Sequence, residues 1–351
     1  MLEWKVNVRE TIPYVPGEQP QEGNIIKLNT NENPYPPAPK VASMAEQMDT
    51  DKFRLYPDPD VGMLTDKLAE YHGVNSNQVF VGVGSDDVLA MAFLTFFNSD
   101  KPILFPDITY SFYKVWAGLF KIPYSNPSLN RDFTINIQDY MVPNGGIVIT
   151  NPNAPTSLYE PLSSIEDIVK ANPCSVVIVD EAYIDFGGES ALSLIEKYDN
   201  VLVVRTFSKS RSMAGMRIGY AVGNEELINA LKSVKLSYNS YTMNMPSIIL
   251  GTESVEDEQY FQSTLAKIVN TRENVKEQLE AIGFSVLESA TNFLFATHER
   301  VSAESIFNDL RKKGIYVRYF KTPRIDNYIR ITIGTDEEMA IFMEEITKLV
   351  K

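Results

Sequence analysis

The segment that best predicts the fold is Ser175-Val176-Val177-Ile178-Val179-Asp180-Glu181-Ala182-Tyr183. Its first part, from Ser175 to Val179, is a short and almost continuous apolar run, which predicts a strand buried on both faces. The run stops at the acidic residue Asp180. Strands buried on both faces occur in parallel sheets that are covered by helices, so this segment favours an α/β fold.

The same unit of apolar strand, polar turn and amphipathic helix recurs on both sides of this segment. The further strands predicted are Val79 to Val83, Pro102 to Phe105, Gly146 to Thr150, Val201 to Val204 and Arg217 to Val222. Repetition of this unit predicts one mostly parallel sheet with helices on its faces. We assign this large domain to residues 41–250.

Residues 251–351 have a different pattern, which predicts a smaller α/β domain. A long charged helix, Glu256 to Ala281, is followed by predicted strands and helices at Phe284 to Leu287, Asn292 to Ala296, Ala303 to Lys313, Ile315 to Arg318, Tyr328 to Ile333 and Asp336 to Val350. Residues 1–40 are rich in proline, which lacks a backbone donor for helices and sheets. We expect them to form an arm that joins the small domain and contributes no core element.

The composition excludes several classes of protein. The 351 residues include 32 Lys and Arg against 46 Asp and Glu, and the net charge of −14 argues against a nucleic-acid-binding protein. With one cysteine, Cys174, no signal-peptide pattern and no apolar run of about 18 residues, we expect a cytoplasmic protein outside the membrane. The two histidines, His72 and His298, are far apart in sequence, so we expect no histidine-ligated metal and no Ser-His-Asp triad.

Polar residues gather where four of the predicted strands end, at Ser85-Asp86, Asn151 to Ser157, Asp180 to Tyr183 and Thr206 to Lys209. In open α/β sheets this edge is where ligands bind. Any one cluster alone is most simply a polar turn. Four clusters of compatible chemistry favour a ligand site.

Lys209 is the most informative of these residues. It lies at a strand end, eight positions before Arg217, and a lysine near a second cation can lose its proton and form a Schiff base. The hydroxyls of Thr206 and Ser208 and the guanidinium of Arg217 would supply donors to a phosphate dianion. Taken alone, Lys209 is more simply a solvated lysine on a loop.

Asp180 directly follows an apolar strand, and a partly buried carboxylate needs a cation or hydrogen-bond donors. A protonated pyridine nitrogen would be one such cation, and Tyr183, three positions on, could reach the same ligand with its phenol. The simpler alternative is that Asp180 caps the turn that follows.

These residues, in this order, resemble the fold-type I pyridoxal-phosphate aminotransferases, and within them the histidinol-phosphate aminotransferase family. The resemblance covers nearly the whole chain. Its motifs are Asn31-Glu32-Asn33-Pro34-Tyr35, Tyr56-Pro57-Asp58, Gly82-Val83-Gly84-Ser85-Asp86, Asn151-Pro152-Asn153-Ala154-Pro155-Thr156, Asp180-Glu181-Ala182-Tyr183, Thr206-Phe207-Ser208-Lys209, Ala214-Gly215-Met216-Arg217-Ile218-Gly219 and Tyr328-Ile329-Arg330-Ile331-Thr332-Ile333-Gly334. The family loop usually reads Asn-Pro-Asn-Asn-Pro-Thr-Gly, and this chain has Ala154 and Ser157 at two of those positions.

The resemblance implies pyridoxal 5'-phosphate as cofactor and a role for each matching residue. Lys209 would attach covalently to the cofactor, Asp180 would pair with its pyridine nitrogen, and Tyr110 would stack on its ring. Phosphate contacts are implied for Ser85, Asp86, Thr206, Ser208 and Arg217, and contacts to the phenolic oxygen for Tyr183 and Asn153. Tyr56 resembles the tyrosine that reaches the phosphate from a partner subunit, which implies a homodimer with shared sites.

The resemblance also implies the reaction. Arg318 and Arg330 resemble the arginines that hold the substrate phosphate or the acceptor carboxylate, and Asn33 is implied as a further substrate contact. The expected reaction is transamination between L-histidinol phosphate and 2-oxoglutarate in histidine biosynthesis, with small molecules as the only partners besides a second copy of the chain.

Three other functions are compatible with parts of the sequence. An aromatic aminotransferase or a threonine-phosphate decarboxylase would share nearly every cofactor residue. A nicotinamide-dependent dehydrogenase could use a parallel sheet, but Gly82-Val83-Gly84 lacks the third glycine at the required spacing. A non-catalytic pyridoxal-phosphate-binding regulator would normally carry a basic DNA-binding segment, for which this acidic chain has no spare domain.

Overall fold

The computed structural model describes residues 3–20 and 25–351, so parts of the predicted arm (residues 1–2 and 21–24) lie outside the described residues. The strands, in chain order, are β1 (Ile26–Lys27), β2 (Val79–Gly82), β3 (Ile103–Leu104), β4 (Tyr124–Ser125), β5 (Ile147–Thr150), β6 (Val177–Asp180), β7 (Val201–Thr206), β8 (Gly219–Gly223), β9 (Phe284–Val286), β10 (Phe293–His298), β11 (Ile315–Tyr316), β12 (Arg318–Tyr319) and β13 (Ile329–Thr332). The helices are α1 (Pro39–Glu46), α2 (Gly62–His72), α3 (Ser85–Phe96), α4 (Phe112–Phe120), α5 (Leu162–Ala171), α6 (Glu225–Tyr238), α7 (Met245–Glu256), α8 (Glu258–Ala281), α9 (Ala303–Lys312) and α10 (Asp336–Val350).

Seven of these strands form one twisted sheet in the order β2-β8-β7-β6-β5-β3-β4. Strands β7, β6, β5, β3 and β4 run parallel to one another, whereas β8 is antiparallel to both of its neighbours, β2 and β7. The predicted α/β fold with a mostly parallel sheet is therefore confirmed.

Helices cover both faces of this sheet, as the apolar strand sequences require. In β6, Val177 and Val179 pack into the core on one face with Ile165 of α5, whereas Ile178 packs into the core on the other face with Phe93 of α3. Successive side chains of a strand point to opposite faces, so an unbroken apolar run is stable only when both faces are covered.

The small lobe contains an antiparallel sheet in the order β12-β13-β10-β9, packed against α8, α9 and α10. Helix α10 has the predicted bounds. Its start is encoded locally, because Thr335 and Glu338 form a capping box in which each side chain bonds to the backbone of the other.

Two predictions about organisation were wrong. The strand expected from Ile315 to Arg318 is interrupted at the buried Val317, so that β11 pairs with β1 and β12 pairs with β13. Helix α7 spans residue 250, where the domain boundary is predicted, and packs on α1 and α2. The arm does contribute to a core, since Leu28 is buried among small-lobe residues.

Within the described residues, no helix combines the length and the apolar character needed to cross a lipid bilayer.

Candidate active site

The polar residues predicted at the strand ends surround one cavity of about 180 Å³. It lies at the carboxyl ends of β5, β6 and β7 and at the start of α3. Its walls are formed by Thr30, Glu32, Ser85, Asp86, Tyr110, Thr150, Ala154, Asp180, Ala182, Tyr183, Thr206, Ser208, Lys209, Ala214 and Arg217. Because parallel strands end at the same edge of a sheet, clusters that are far apart in sequence meet here.

Lys209 extends into this cavity from the loop after β7. Its Nζ donates to the backbone oxygen of Thr30 at 3.2 Å and lies 5.9 Å from the centre of the Tyr183 ring. The loop itself is held by Asn33, whose Nδ2 is 3.1 Å from the backbone oxygens of both Lys209 and Ser210. Asn33, predicted as a substrate contact, therefore orients the lysine loop and is not part of the cavity wall.

Asp180 is a buried carboxylate at the end of β6. Its Oδ2 accepts a hydrogen bond from the Tyr113 hydroxyl at 2.7 Å, and its Oδ1 accepts one from the backbone N–H of Ala182 at 3.2 Å. Burial raises its pKa to about 6. Among the described residues it forms no ion pair, so a cation inside the cavity would stabilise its charged form.

The opposite end of the cavity is suited to an anion. Helix α3 begins at Ser85, and the first backbone N–H groups of a helix have no partner within it. Nearby, Arg217 Nη2 lies 3.3 Å from the carboxylate of Asp86. The preceding residue, Gly84, has φ 83°, and a Cβ atom there would lie 2.5 Å from Arg217 Nη2. Glycine is required at this position by both the backbone conformation and the close guanidinium.

Two hydroxyl groups complete this end of the cavity. The Thr206 hydroxyl donates to Ser208 Oγ at 3.0 Å and accepts a bond from the Ser208 backbone at 3.1 Å. Arg217 Nη1 is 3.5 Å from the same Ser208 Oγ. Hydroxyl, guanidinium and backbone donors thus converge, a combination that binds a phosphate dianion.

Tyrosines form the remaining walls. The Tyr183 hydroxyl accepts a hydrogen bond from Asn31 Nδ2 at 2.8 Å, and the Tyr110 hydroxyl donates to Asp86 at 2.8 Å. Burial raises the pKa of Tyr110 far above its ordinary value, which keeps this phenol neutral.

Asn153 is engaged by protein groups and does not line the cavity. Its Nδ2 donates to the backbone oxygen of Ile108 at 3.0 Å and to the Thr156 hydroxyl at 2.8 Å, while its Oδ1 accepts from Thr109 at 2.8 Å. Ser157, where the family has glycine, has φ 69°, which explains the usual glycine. The structure thus places Asn153 beside the predicted cofactor residues without a free donor.

A second, larger cavity of about 650 Å³, which we call the outer cavity, adjoins the first, which we call the inner cavity, and Lys209 and Tyr183 line both. Arg318 and Arg330 lie in its wall and are directly opposite each other in the β12–β13 pair, so both side chains are on the same face. Arg330 Nη2 donates to the backbone oxygen of Asn29 at 2.8 Å, but its Nε is buried without a partner. Burial, and then the neighbouring Arg318, lower the pKa of Arg330.

Neither arginine forms an ion pair within the described parts of the chain. Two adjacent guanidinium groups repel each other unless an anion lies between them. The outer cavity therefore has a site suited to a dianion at its wall.

Tyr56 lies away from both cavities. It is 80% exposed and stacks on Tyr241, with ring centres 4.6 Å apart. Among the residues that the structure describes, Tyr56 is not part of the wall of either cavity.

Sequence reasoning missed three residues that contact the predicted site residues. Asn31 bonds to Tyr183, the Thr30 backbone binds Lys209, and Tyr113 bonds to Asp180. Asn31 could have been found, because it belongs to the same Asn31-Glu32-Asn33 motif from which only Asn33 was selected. Tyr113 carried no such signal, since a tyrosine in an apolar helix is most often a core residue.

The donor set fits pyridoxal phosphate on the evidence of the protein atoms alone. The buried carboxylate of Asp180 would receive a cation from a protonated pyridine ring, the donors around Ser208 would bind the phosphate, and Lys209 is the amine within the same cavity. All three groups line the same cavity, and together they are complementary to one molecule.

Comparisons with known proteins agree with this assignment. The model of the family described as aminotransferase class I and II matches residues 23–346. A histidinol-phosphate aminotransferase of Brachyspira hyodysenteriae is 53% identical over 340 residues, which cover 97% of this chain and 96% of that protein. One of Clostridium acetobutylicum is 52% identical over 347 residues, with 99% of each protein covered.

A crystal structure of histidinol-phosphate aminotransferase from Sinorhizobium meliloti in complex with pyridoxal-5'-phosphate has the same fold, with a TM-score of 0.85 and 22% identity over 93% of this chain and 90% of that one. Fold, site and family together define a pyridoxal-phosphate-dependent aminotransferase. Within that class, this chain belongs to the histidinol-phosphate aminotransferase family.

Proposed function

We propose that this enzyme transfers the amino group of L-histidinol phosphate to 2-oxoglutarate, giving imidazole-acetol phosphate and L-glutamate, in histidine biosynthesis. The observation that carries this proposal is the guanidinium pair Arg318 and Arg330 in the wall of the outer cavity, which continues to Lys209. A phosphorylated donor bound by these arginines would extend toward the lysine. The names of the relatives at 53% and 52% identity support the same substrate.

The residues of the inner cavity have distinct roles in this proposal. When bound, pyridoxal phosphate supplies an electron sink for the bond that breaks at the donor's Cα. Asp180 would hold a proton on the pyridine nitrogen, and the Lys209 amine would move the donor's Cα proton. Tyr183 would orient the phenolic oxygen of the cofactor. Asn153 would contact the same oxygen only after exchanging its present hydrogen-bond partners.

The remaining groups bind and orient. The cofactor phosphate would be bound by the backbone amides of Ser85 and Asp86 and by the side chains of Thr206, Ser208 and Arg217, and Tyr110 would pack against the ring. Arg318 and Arg330 bind the donor phosphate in one half-reaction and a carboxylate of 2-oxoglutarate or glutamate in the other, since both are anions that accept paired guanidinium bonds.

We also propose that the enzyme is a cytoplasmic homodimer in which Tyr56 serves the site of the partner subunit. The support is that Tyr56 is 80% exposed and reaches neither cavity of its own chain. Phe53, Leu55 and Met63 nearby are about half exposed, which leaves an apolar surface for a second copy.

The substrate is tested with a panel of donors: L-histidinol phosphate, L-histidinol, L-phenylalanine and L-threonine phosphate. Wild-type enzyme should prefer L-histidinol phosphate, and Arg330→Ala or Arg318→Ala should reduce kcat/KM for it more than for L-histidinol. The matched control is Arg300→Ala, a small-lobe arginine whose side chain is 73% exposed. Equal use of phenylalanine would favour an aromatic aminotransferase, and release of carbon dioxide from threonine phosphate would favour a decarboxylase.

The lysine is tested by borohydride reduction followed by peptide mapping. The reduced cofactor should be found on Lys209, and Lys209→Ala should bind pyridoxal phosphate without turnover. Label on any other lysine would contradict the assignment.

The shared site is tested by refolding inactive Lys209→Ala together with Tyr56→Ala. Each mixed dimer would contain one site with both substitutions and one with neither, so random pairing should restore about a quarter of wild-type activity. Activity no higher than the sum of the parents, in a sample shown to contain mixed dimers, would mean that Tyr56 does not act across the interface.

A further inference from the structure

Arg324 joins the two lobes beside the outer cavity. It belongs to the small-lobe segment between β12 and β13, and its guanidinium bonds to three large-lobe residues. Nη1 lies 2.9 Å from the carboxylate of Asp107, and Nη2 donates to the backbone oxygens of Leu129 at 2.7 Å and Asn130 at 2.9 Å. One side chain thus makes three bonds across the lobe boundary, two of them to backbone groups whose position does not depend on side-chain rotation.

The residues around Arg324 hold it in this position. Its φ is 74°, a conformation that residues other than glycine rarely adopt. The next residue, Ile325, is 4% exposed and packs with Ile108, Leu129 and Phe133 in a small core shared by both lobes. The cross-lobe contact is therefore an apolar core with a charged pair at its edge, which we call the interlobe clamp (Arg324, Asp107 and Ile325).

The interlobe clamp connects two parts of the proposed substrate site. On the small-lobe side, the Phe320 ring is 5.5 Å from the guanidinium of Arg318 and 5.6 Å from that of Arg330. On the large-lobe side, Asp107 is three residues before Tyr110, which lines both cavities. Asp107 and Ile325 themselves lie in the wall of the outer cavity.

We propose that the interlobe clamp sets the distance between the paired arginines and the reactive end of the site at Lys209. Arg324 and Asp107 are then positioning residues, because that distance determines which length of donor fits. A donor with a distal anion must reach both ends at once, whereas a short donor uses only the reactive end. The long donor binds well only when its anion meets the arginines while its amino group is at Lys209. A loosened clamp should therefore weaken binding of the long donor more than that of the short donor. The identity of the long donor rests on the proposed function above, whereas the clamp itself rests on the contacts of Arg324.

The test uses enzyme loaded with pyridoxal phosphate and single-turnover measurements, followed by the absorbance change of the bound cofactor. The long donor is L-histidinol phosphate and the short donor is L-histidinol, which lacks the anion. Arg324→Ala should raise the half-saturating concentration of L-histidinol phosphate about fivefold to tenfold, and Asp107→Asn, which leaves the two backbone bonds of Arg324 in place, should raise it less. The response to L-histidinol should change less than about twofold in both variants.

Three further measurements separate positioning from a general structural role. The double variant should resemble Arg324→Ala, because loss of the guanidinium already removes its contact with Asp107 together with the two backbone bonds. Arg324→Lys, which keeps the charge toward Asp107, should recover part of the affinity, and the Arg300→Ala control should behave as wild type. Cofactor absorbance should match that of wild type in every variant, and the conservative Asp107→Asn keeps the test available should Arg324→Ala fold poorly.

The proposal is overturned if both donors weaken equally or neither changes. If the wild-type enzyme prefers another donor over L-histidinol phosphate, the proposed function fails. The clamp is then judged by comparing that preferred donor with L-histidinol in the same variants, so the two failures are distinguishable.

Discussion

Replacing Asp180 by asparagine tests the electrostatics of the inner cavity without changing its shape. The carboxylate is 3% exposed, and burial raises its pKa to about 6 from an ordinary 3.8. Asparagine can keep both neighbours, because its oxygen can accept from the Ala182 backbone while its amide donates to the Tyr113 hydroxyl. That hydroxyl can then donate to Thr150, whose Oγ1 is 2.7 Å away. The substitution therefore removes a charge and preserves the hydrogen bonds.

The expected effect follows from the sign of the pKa change. The native state favours the protonated acid, so this contribution to stability is complete below pH 3.8 and is lost as the pH rises through about 6. At ~1.4 kcal/mol for each tenfold change in proton affinity, the loss above pH 6 is about 3 kcal/mol. Asparagine is neutral throughout, so the apoprotein with Asp180→Asn should be up to about 3 kcal/mol more stable than wild type at pH 7.5 and equally stable near pH 3.8.

Urea unfolding of both apoproteins between pH 4 and 7.5 measures this difference directly. In the presence of pyridoxal phosphate, wild type should be the more stable of the two proteins, because its carboxylate then gains a cationic partner. Tyr113→Phe is an internal check, since it removes a hydrogen bond that stabilises the charged carboxylate and should increase the difference. A difference in unfolding free energy between wild type and Asp180→Asn that does not vary with pH would refute the reasoning.

Two further predictions concern groups that support the site. Glu181 is buried and accepts bonds from Arg205 at 2.9 and 3.0 Å, so Glu181→Ala should lower the free energy of unfolding by about 3 kcal/mol. This value is at the lower end of the range for a broken buried ion pair, because Asp185 still lies 3.4 Å from Arg205. A loss below about 1 kcal/mol in a denaturant titration would contradict the prediction. Gly84→Ala would strain a residue in a left-handed conformation and displace Arg217. The affinity for pyridoxal phosphate, measured by titration, should therefore fall about tenfold. An unchanged affinity would argue against the assignment of this end of the cavity to the phosphate.

The parts of this protein that could be predicted from sequence are those encoded by neighbouring residues. Helix α10 was predicted with its observed bounds because its apolar periodicity and its capping residues lie within one segment. The meeting of Asp180, Thr206 and Lys209 followed from strand ends alone, because buried parallel strands must end at one edge. The family resemblance added the cofactor and the reaction, which no periodicity specifies.

Only the tertiary structure decided which distant groups meet. It placed β8 antiparallel between β2 and β7, brought Asn31 to Tyr183 across 152 positions, and set Arg324 against Asp107 across 217 positions. Each such contact depends on how whole lobes pack, which is the sum of many small burial and hydrogen-bond energies spread along the chain. A short segment of sequence does not determine this total energy. It could therefore predict the residues at the strand ends but not the distant partners that orient them.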